Sequence, residues 1–400
     1  MSADRPDDFD DVPNLRSIPS AASDDGLRAD YRDELPPRKP GFGFWMAVVW
    51  CILYVLVMQV LAACVCGLPI YAVALGIEVA QNGMEAVKDE TKLKAWMEGP
   101  NGRLAMMSTL IASHLVGLLF SWIVLRWRVG GRRWKRRIAL TRPPAITHWV
   151  LILIGLPAML ALSTAVEQPI MEYVPSIQDL LNRAHINFEW PGIEVIMPLL
   201  QKTPLPLAIF AVAILPALNE EFWCRGFIAQ GLAGRYRTWA VVLVTSFLFG
   251  VIHLEPRQGI GAMLLGAAIH GAYLATRSLW AAMFVHFANN GLAVLHVNEG
   301  FPLAVLKPLE DTLKASPVLF VASSAVLFGA VMCALYQTRC KLVSVDPSLP
   351  TWEPSGVSTV ELPPPGSGTV VTHDPLSPLS VALVLVGAVA FGAVMYWKGV

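Results

Sequence analysis

Long apolar runs separated by short polar breaks dominate this chain. The first apolar run covers about residues 45–77, more than the roughly 20 residues a helix needs to cross a bilayer. Gly67 and Pro69 are expected to divide it into one span and a shorter amphipathic or re-entrant piece. A charged, helix-compatible segment follows from Glu85 to Glu98, and Gly99-Pro100 should end it. Further apolar runs cover about 105–125, 150–166, 205–228, 239–253, 260–275, 279–295 and 318–336, with a last short one at 382–397. Backbone groups in lipid must be satisfied internally, so runs of this length predict helices. The shorter, strictly alternating strands of a membrane barrel are not evident in the pattern. The expected fold is therefore all-α: a polytopic integral membrane helical bundle with eight or nine transmembrane helices.

The polar segments divide the chain and orient it. Residues 1–42 are polar and acidic, without the basic start and early apolar core of a signal peptide. They read as a disordered polar tail. Residues 43–203 form an N-terminal transmembrane region. Within it, 126–142 (RWRVGGRRWKRRIALTR) is dense in Arg and Lys and holds no acid. An ordinary solvated loop is the bland reading, but between two spans the positive-inside rule makes this a cytoplasmic anchor. Its Trp127 and Trp134 suit an interfacial position. Residues 204–298 form a core region, 299–343 an additional transmembrane helix, and 344–380 a Pro/Ser/Gly-rich loop with PPPGSG at 363–368. Residues 381–400 close the chain as a C-terminal transmembrane helix.

Composition agrees with a membrane protein. The chain is 55% hydrophobic and 15% charged, against roughly 25% charged in a typical soluble domain. Mean hydropathy is +0.53. Net charge is zero, which gives no support for the basic stripe of a nucleic-acid-binding protein. The six cysteines offer no redox or zinc pair, since Cys64-Val-Cys66 has the wrong spacing.

The candidate chemistry lies in ionisable residues inside apolar runs, where they are costly and mark function. In LPALNEEFWCRGF, residues 215–227, Glu221 and Arg225 are four apart and share a helix face, so they can pair. Glu220 points about 100 degrees away. It is left without that partner, which suits a general base. In FLFGVIHLEP, residues 247–256, Phe249 and His253 share a face near the end of a run. In LWAAMFVHFANNGL, residues 279–292, His286 and Asn290 share a face, a pair able to hold an oxyanion or orient a water. Each segment has a bland counterpart: an end-of-span patch, an interfacial histidine, a helix–helix hydrogen bond. Depth favours convergence. Counting 1.5 Å per residue from the adjoining basic or interfacial residue puts Glu220 about 22 Å in, His253 about 21 Å, His286 about 13 Å and Asn290 about 20 Å.

In this order on successive helices, Glu220-Glu221-x-x-x-Arg225, Phe249-x-x-x-His253 and His286-x-x-x-Asn290 resemble the CPBP intramembrane metalloprotease family, also called the CAAX-protease or Abi family of bacteriocin-processing type. The run GAYLATRSLWAAMFVHFANN at 271–290 has the family's look as well. The resemblance covers about residues 204–298. It implies an intramembrane endopeptidase that acts on membrane-associated or lipidated protein or peptide substrates, with Glu220 activating water. It implies catalytic roles for Glu220, Glu221, His253, His286 and Asn290, with Arg225 pairing charge. It also implies Zn2+ on His253, His286 and Glu220, although a metal-free glutamate mechanism stays open. Cys224 stands where an aromatic residue is common in the family, and His270 has no counterpart in the motifs. There is no HExxH helix. The alternatives are a proteolytically silent peptide-binding or immunity protein and a proton-coupled transporter, though no internal repeat of the motif region is evident. The expected surroundings are the lipid bilayer of the cell (inner) membrane, with a membrane protein or peptide as substrate and no nucleic acid.

Overall fold

The computed structural model describes residues 41–188, 193–301, 307–346, 348, 351–354 and 360–396, with the backbone alone at 193–197 and 307–310. The tail expected to be disordered lies outside these residues except at 41–42. Nine long helices form the bundle among the described residues. They are α1 (Phe44–Asn82), α2 (Pro100–Val124), α3 (Ile146–Tyr173), α4 (Leu205–Ala233), α5 (Thr238–Val251), α6 (Pro256–Thr276), α7 (Leu279–Val297), α8 (Pro317–Gln337) and α9 (Pro378–Tyr396). Prolines open α2, α6 and α8, where a missing N–H costs nothing.

Seven of the nine, all but α5 and α7, are long and apolar enough to cross a membrane. The protein is a multi-pass integral membrane protein. The count falls short of the eight or nine expected for a physical reason. α5 has only 14 residues. α7 has 19, but His286, Asn289, Asn290 and His296 dilute its apolar character. The candidate catalytic side chains outside α4 belong to these two helices or their ends: His253 just past α5, and His286 and Asn290 on α7.

The break expected at Gly67 and Pro69 does not form, and α1 runs unbroken through both. Wide turns over Leu56–Leu61 and Ala63–Gly67 precede Pro69. They already depart from the i→i−4 ladder that a proline would interrupt, so the ring is accommodated. Gly83, with φ of +77°, ends the helix.

Helices in lipid gain little from apolar burial and associate through close packing and hydrogen bonds. α5 and α6 form an antiparallel hairpin in which Gly250 and Gly259 let the backbones touch; a Cβ on Gly250 would collide with the Gly259 carbonyl. α2 meets α4 at Gly117, where a Cβ would stand 2.6 Å from Asn219 Nδ2. Outward faces are apolar, as at Val49, Val65, Val73, Leu243 and Val389, which suits lipid contact.

One end of the bundle collects the basic residues. Arg126–Arg142, Arg235, Arg237, Arg277, Arg339 and Lys341 all belong to it. Its segments are knitted together. Leu279 N donates to Ala139 O at 3.1 Å, Ser278 Oγ to Arg142 O at 2.6 Å, Tyr273 Oη to Ile138 O at 3.0 Å and Cys340 N to Ala275 O at 2.7 Å. Beyond α8 the chain forms strands β1 (Lys341–Ser344) and β2 (Thr369–Thr372), antiparallel with Lys341 opposite Thr372 and Ser344 opposite Thr369. The segment before β2 is buried against the basic loop. Leu362 N donates to Arg136 O at 3.2 Å, Arg137 Nε stands 3.5 Å from Glu361 Oε1, and Arg277 Nη1 donates to Glu361 O at 3.1 Å.

Candidate active site

Three helices bring their polar groups together inside the bundle. α4 is held on its far side by aromatic packing: Trp223 stacks on Tyr54 of α1 with centroids 4.6 Å apart and lies 5.4 Å from Phe120 of α2. Asn219 adds polar contacts there, accepting from Ser121 Oγ at 3.3 Å and placing Nδ2 3.1 Å from Met58 Sδ. Glu220 and Glu221 therefore face inward, toward α5, α6 and α7. Immediately after Glu221 the helix widens over Phe222–Ile228, a local form that recurs at functional sites.

Glu221 and Arg225 are both wholly buried. Arg225 Nη1 donates to Glu221 Oε1 at 2.7 Å, and Nη2 donates to Gly266 O of α6, also at 2.7 Å. The guanidinium lies 4.9 Å from the centre of the Phe249 ring, a favourable cation–π position. Glu221 Oε1 also accepts from His286 Nδ1 at 2.9 Å. His253 Nδ1 donates to Phe249 O at 2.7 Å. Phe249 stands edge-on between the two imidazoles, 5.0 Å from His253 and 5.5 Å from His286.

These contacts settle the tautomers. A carbonyl and a carboxylate only accept, so both Nδ1 atoms carry the proton. In neutral rings both Nε2 lone pairs are then free, and both are near the same atom. Glu220 Oε2 lies 4.0 Å from His253 Nε2 and 3.9 Å from His286 Nε2. That oxygen is buried and has no hydrogen-bond partner among the described residues.

Of the residues singled out from the sequence, Glu220, Glu221, Arg225, His253 and His286 form one connected group. Asn290 is half-buried one turn beyond His286, and its Nδ2 donates to Val212 O of α4 at 3.1 Å. Asn289 sits beside it, with Nδ2 3.3 Å from Asn290 Oδ1. His270 is buried elsewhere on α6, its ring 6.1 Å from Tyr273. Cys224 is buried and free. His114 of α2 was missed. It is buried, its Nδ1 has no hydrogen-bond partner among the described residues, and it lies within electrostatic range of Glu220, His253 and His286. The signal was present: an ionisable residue inside the run 105–125 obeys the same rule that flagged the others.

The donors are of the kind zinc takes. Two imidazoles whose second nitrogens are hydrogen-bonded, plus one carboxylate oxygen, reproduce the usual outer-shell pattern of a metal site. The spacing is wider. Ligands about 2.0–2.1 Å from one zinc stand about 3.3 Å apart in tetrahedral geometry. No group of three His, Cys, Asp or Glu closes to metal-holding spacing among the described residues.

Comparison with known proteins gives a family match. The family model described as type II CAAX prenyl endopeptidase Rce1-like matches residues 202–292. This stretch is under a quarter of the chain and contains every residue of the connected group. No curated protein and no solved structure matches. The match and the membrane-helical architecture together support a membrane protease-like function of the CAAX-protease-related kind.

Proposed function

We propose that the protein is an intramembrane endopeptidase of the CPBP type, hydrolysing peptide bonds of membrane-associated or lipidated proteins or peptides in the cell membrane. The observation that carries this reading is the bare Glu220 Oε2 facing two free imidazole nitrogens at 3.9 and 4.0 Å. A water about 2.8 Å from Glu220 Oε2 and from one of the Nε2 atoms fits those separations, donating one O–H to each, within the reach expected of a general base. Glu220 takes its proton as the water oxygen bonds to the scissile carbonyl carbon. The imidazole that accepts the second O–H fixes the water's position. Asn290 spends one amide N–H on Val212, and its second N–H donates to the tetrahedral oxyanion. The C–N bond then breaks, and Glu220 returns the proton to the leaving amine. Glu221, tied to Arg225, holds His286 in its tautomer and orientation.

The donor types are those zinc takes, at a spacing wider than one zinc requires. Glu220, His253 and His286 would hold it, and it would polarise the carbonyl and acidify the water. Glu220 would then be less free to act as base, so the two versions make different predictions.

The test compares wild type with Glu220→Ala in detergent-purified protein, using membrane-peptide substrates with and without a chelator. Loss of cleavage by about 10²–10⁴-fold with the fold retained is the expected result. Chelator sensitivity reversed by zinc would assign the metal, and insensitivity would assign the metal-free version. Cleavage that survives the substitution overturns the mechanism.

A further inference from the structure

The candidate site becomes more exposed in one direction only. On α4, Arg225 and Glu221 are wholly buried, while the Glu220 side chain is 12% exposed. Past α5, Phe249 is buried and the His253 side chain is 16% exposed. On α7, His286 is buried and Asn289 and Asn290 are half-buried. α4 runs toward the basic end, whereas α5 and α7 run away from it. All three gradients therefore rise toward the end opposite the basic loop.

The two ends are also closed differently. The basic end is sealed by the hydrogen bonds among the 125–145 segment, the α6–α7 turn and the strap around Glu361. At the opposite end the contacts fall into two separate groups. Ile177 N donates to Glu255 and Arg257 to Val174 O and Asp179, tying the chain after α3 to the α5–α6 turn. Asn298 donates to Leu200 O and Thr203 O, tying the end of α7 to the chain before α4. His253 lies beside the first group, and Asn289 and Asn290 lie on the approach to the second.

Depth agrees. His253 follows the start of α5 by 15 residues, about 22 Å of helical rise. In a hydrocarbon core of about 30 Å, that leaves about 8 Å to the far boundary.

We infer that water and substrate enter from the face opposite the basic loop. By the positive-inside rule this is the extracytoplasmic face. The substrate class is then a membrane-anchored polypeptide whose cleavage site is presented outside the cytoplasm. A prenylated C-terminus approaching from the cytoplasm would meet the closed end. This inference rests on the endopeptidase reading for the word substrate, but the direction of access stands on geometry alone.

The experiment reads access without reading activity. In the full-length chain lacking Cys64, Cys66 and Cys333, single reporters Asn289→Cys, Leu254→Cys and Arg132→Cys are treated with a membrane-impermeant maleimide. Intact cells with a permeabilised outer envelope are compared with inverted membrane vesicles. Leu254 is a second, more exposed position at the same mouth, which guards against misfolding at Asn289. The expected result is one adduct's mass shift at Asn289→Cys and Leu254→Cys in the cell arm, and at Arg132→Cys only in the vesicle arm. Labelling of the site reporters from the Arg132 side, or from neither side, overturns the direction of access. Labelling of Arg132→Cys from outside overturns the substrate class. Loss or survival of cleavage in Glu220→Ala moves none of these labels, so a failed endopeptidase reading is separately visible.

Discussion

Arg225 holds three things at once: the Glu221 carboxylate, the Gly266 carbonyl and the face of Phe249. Removing one partner of a buried ion pair leaves the other charge stranded, at a cost of about 3–5 kcal/mol. Arg225→Ala is therefore expected to lower the unfolding temperature in detergent sharply and to abolish cleavage, because Glu221 also anchors His286. Arg225→Lys should cost less, since an ammonium can keep the carboxylate but not the planar fork that reaches Gly266 as well. Thermal unfolding of both variants checks the order; an Arg225→Ala protein as stable as wild type would refute the role given to the pair. The one-dimensional sequence displays such contacts when they run along a single helix, as Glu221 and Arg225 do. It cannot display the bond from Arg225 to Gly266 or from Asn290 to Val212. Those depend on which helices become neighbours, and an apolar run does not specify its neighbour. His114 was legible by type, but its proximity to Glu220 required the packing of α2 on α4.

At the scale of elements, the placement of His253 depends on the α5–α6 hairpin. The two helices touch at Gly250 and Gly259, and His253 stands three residues beyond the contact. Gly250→Ala would drive a methyl group into the Gly259 carbonyl and push the helices apart. Overpacking of this kind costs typically about 1–3 kcal/mol. The expected outcome is a lower melting temperature and a fall in cleavage, since His253 moves away from Glu220. Gly261→Ala is the control: it lies on the same α6, a Cβ there meets nothing within 4 Å, and it should be neutral or slightly stabilising through helix propensity. Equal effects of the two would refute the argument. The same scale shows where hydrophobicity misleads. The runs at 239–253 and 279–295 were expected to span, yet α5 is short and α7 is polar. α7 is largely enclosed by other helices and needs less apolarity than a helix facing lipid, whereas α5 keeps an apolar outer face at Leu243, Phe247 and Val251 and falls short in length alone. At 45–77 the error was opposite, because Gly67 and Pro69 stop soluble helices far more reliably than membrane ones.

Over the whole molecule, the basic end and the opposite end do different work. The strap from Val360 to Leu362 is buried, yet its partners are loop residues: Arg136, Arg137 and Arg277. None of these belongs to the Glu220 group, and Glu220 itself lies about 22 Å along the chain of α4 from Arg235. The strap should therefore seal the basic end without setting the geometry of the site. Leu362→Asp places a carboxylate among the buried apolar side chains at that end, where an unpaired charge is costly. The strap is expected to detach, and trypsin added to inverted vesicles should then cut after Arg136 and Arg137 faster than in wild type. Cleavage of a membrane peptide supplied from the other face should be little changed. Limited proteolysis and activity on the same preparation give both readouts. A variant that loses cleavage without becoming more sensitive to trypsin would mean that the strap acts on the Glu220 group across the bundle. Greater sensitivity with cleavage retained is what two functionally separate ends require: one closed around the basic loop, the other open to water around Glu220, His253 and His286.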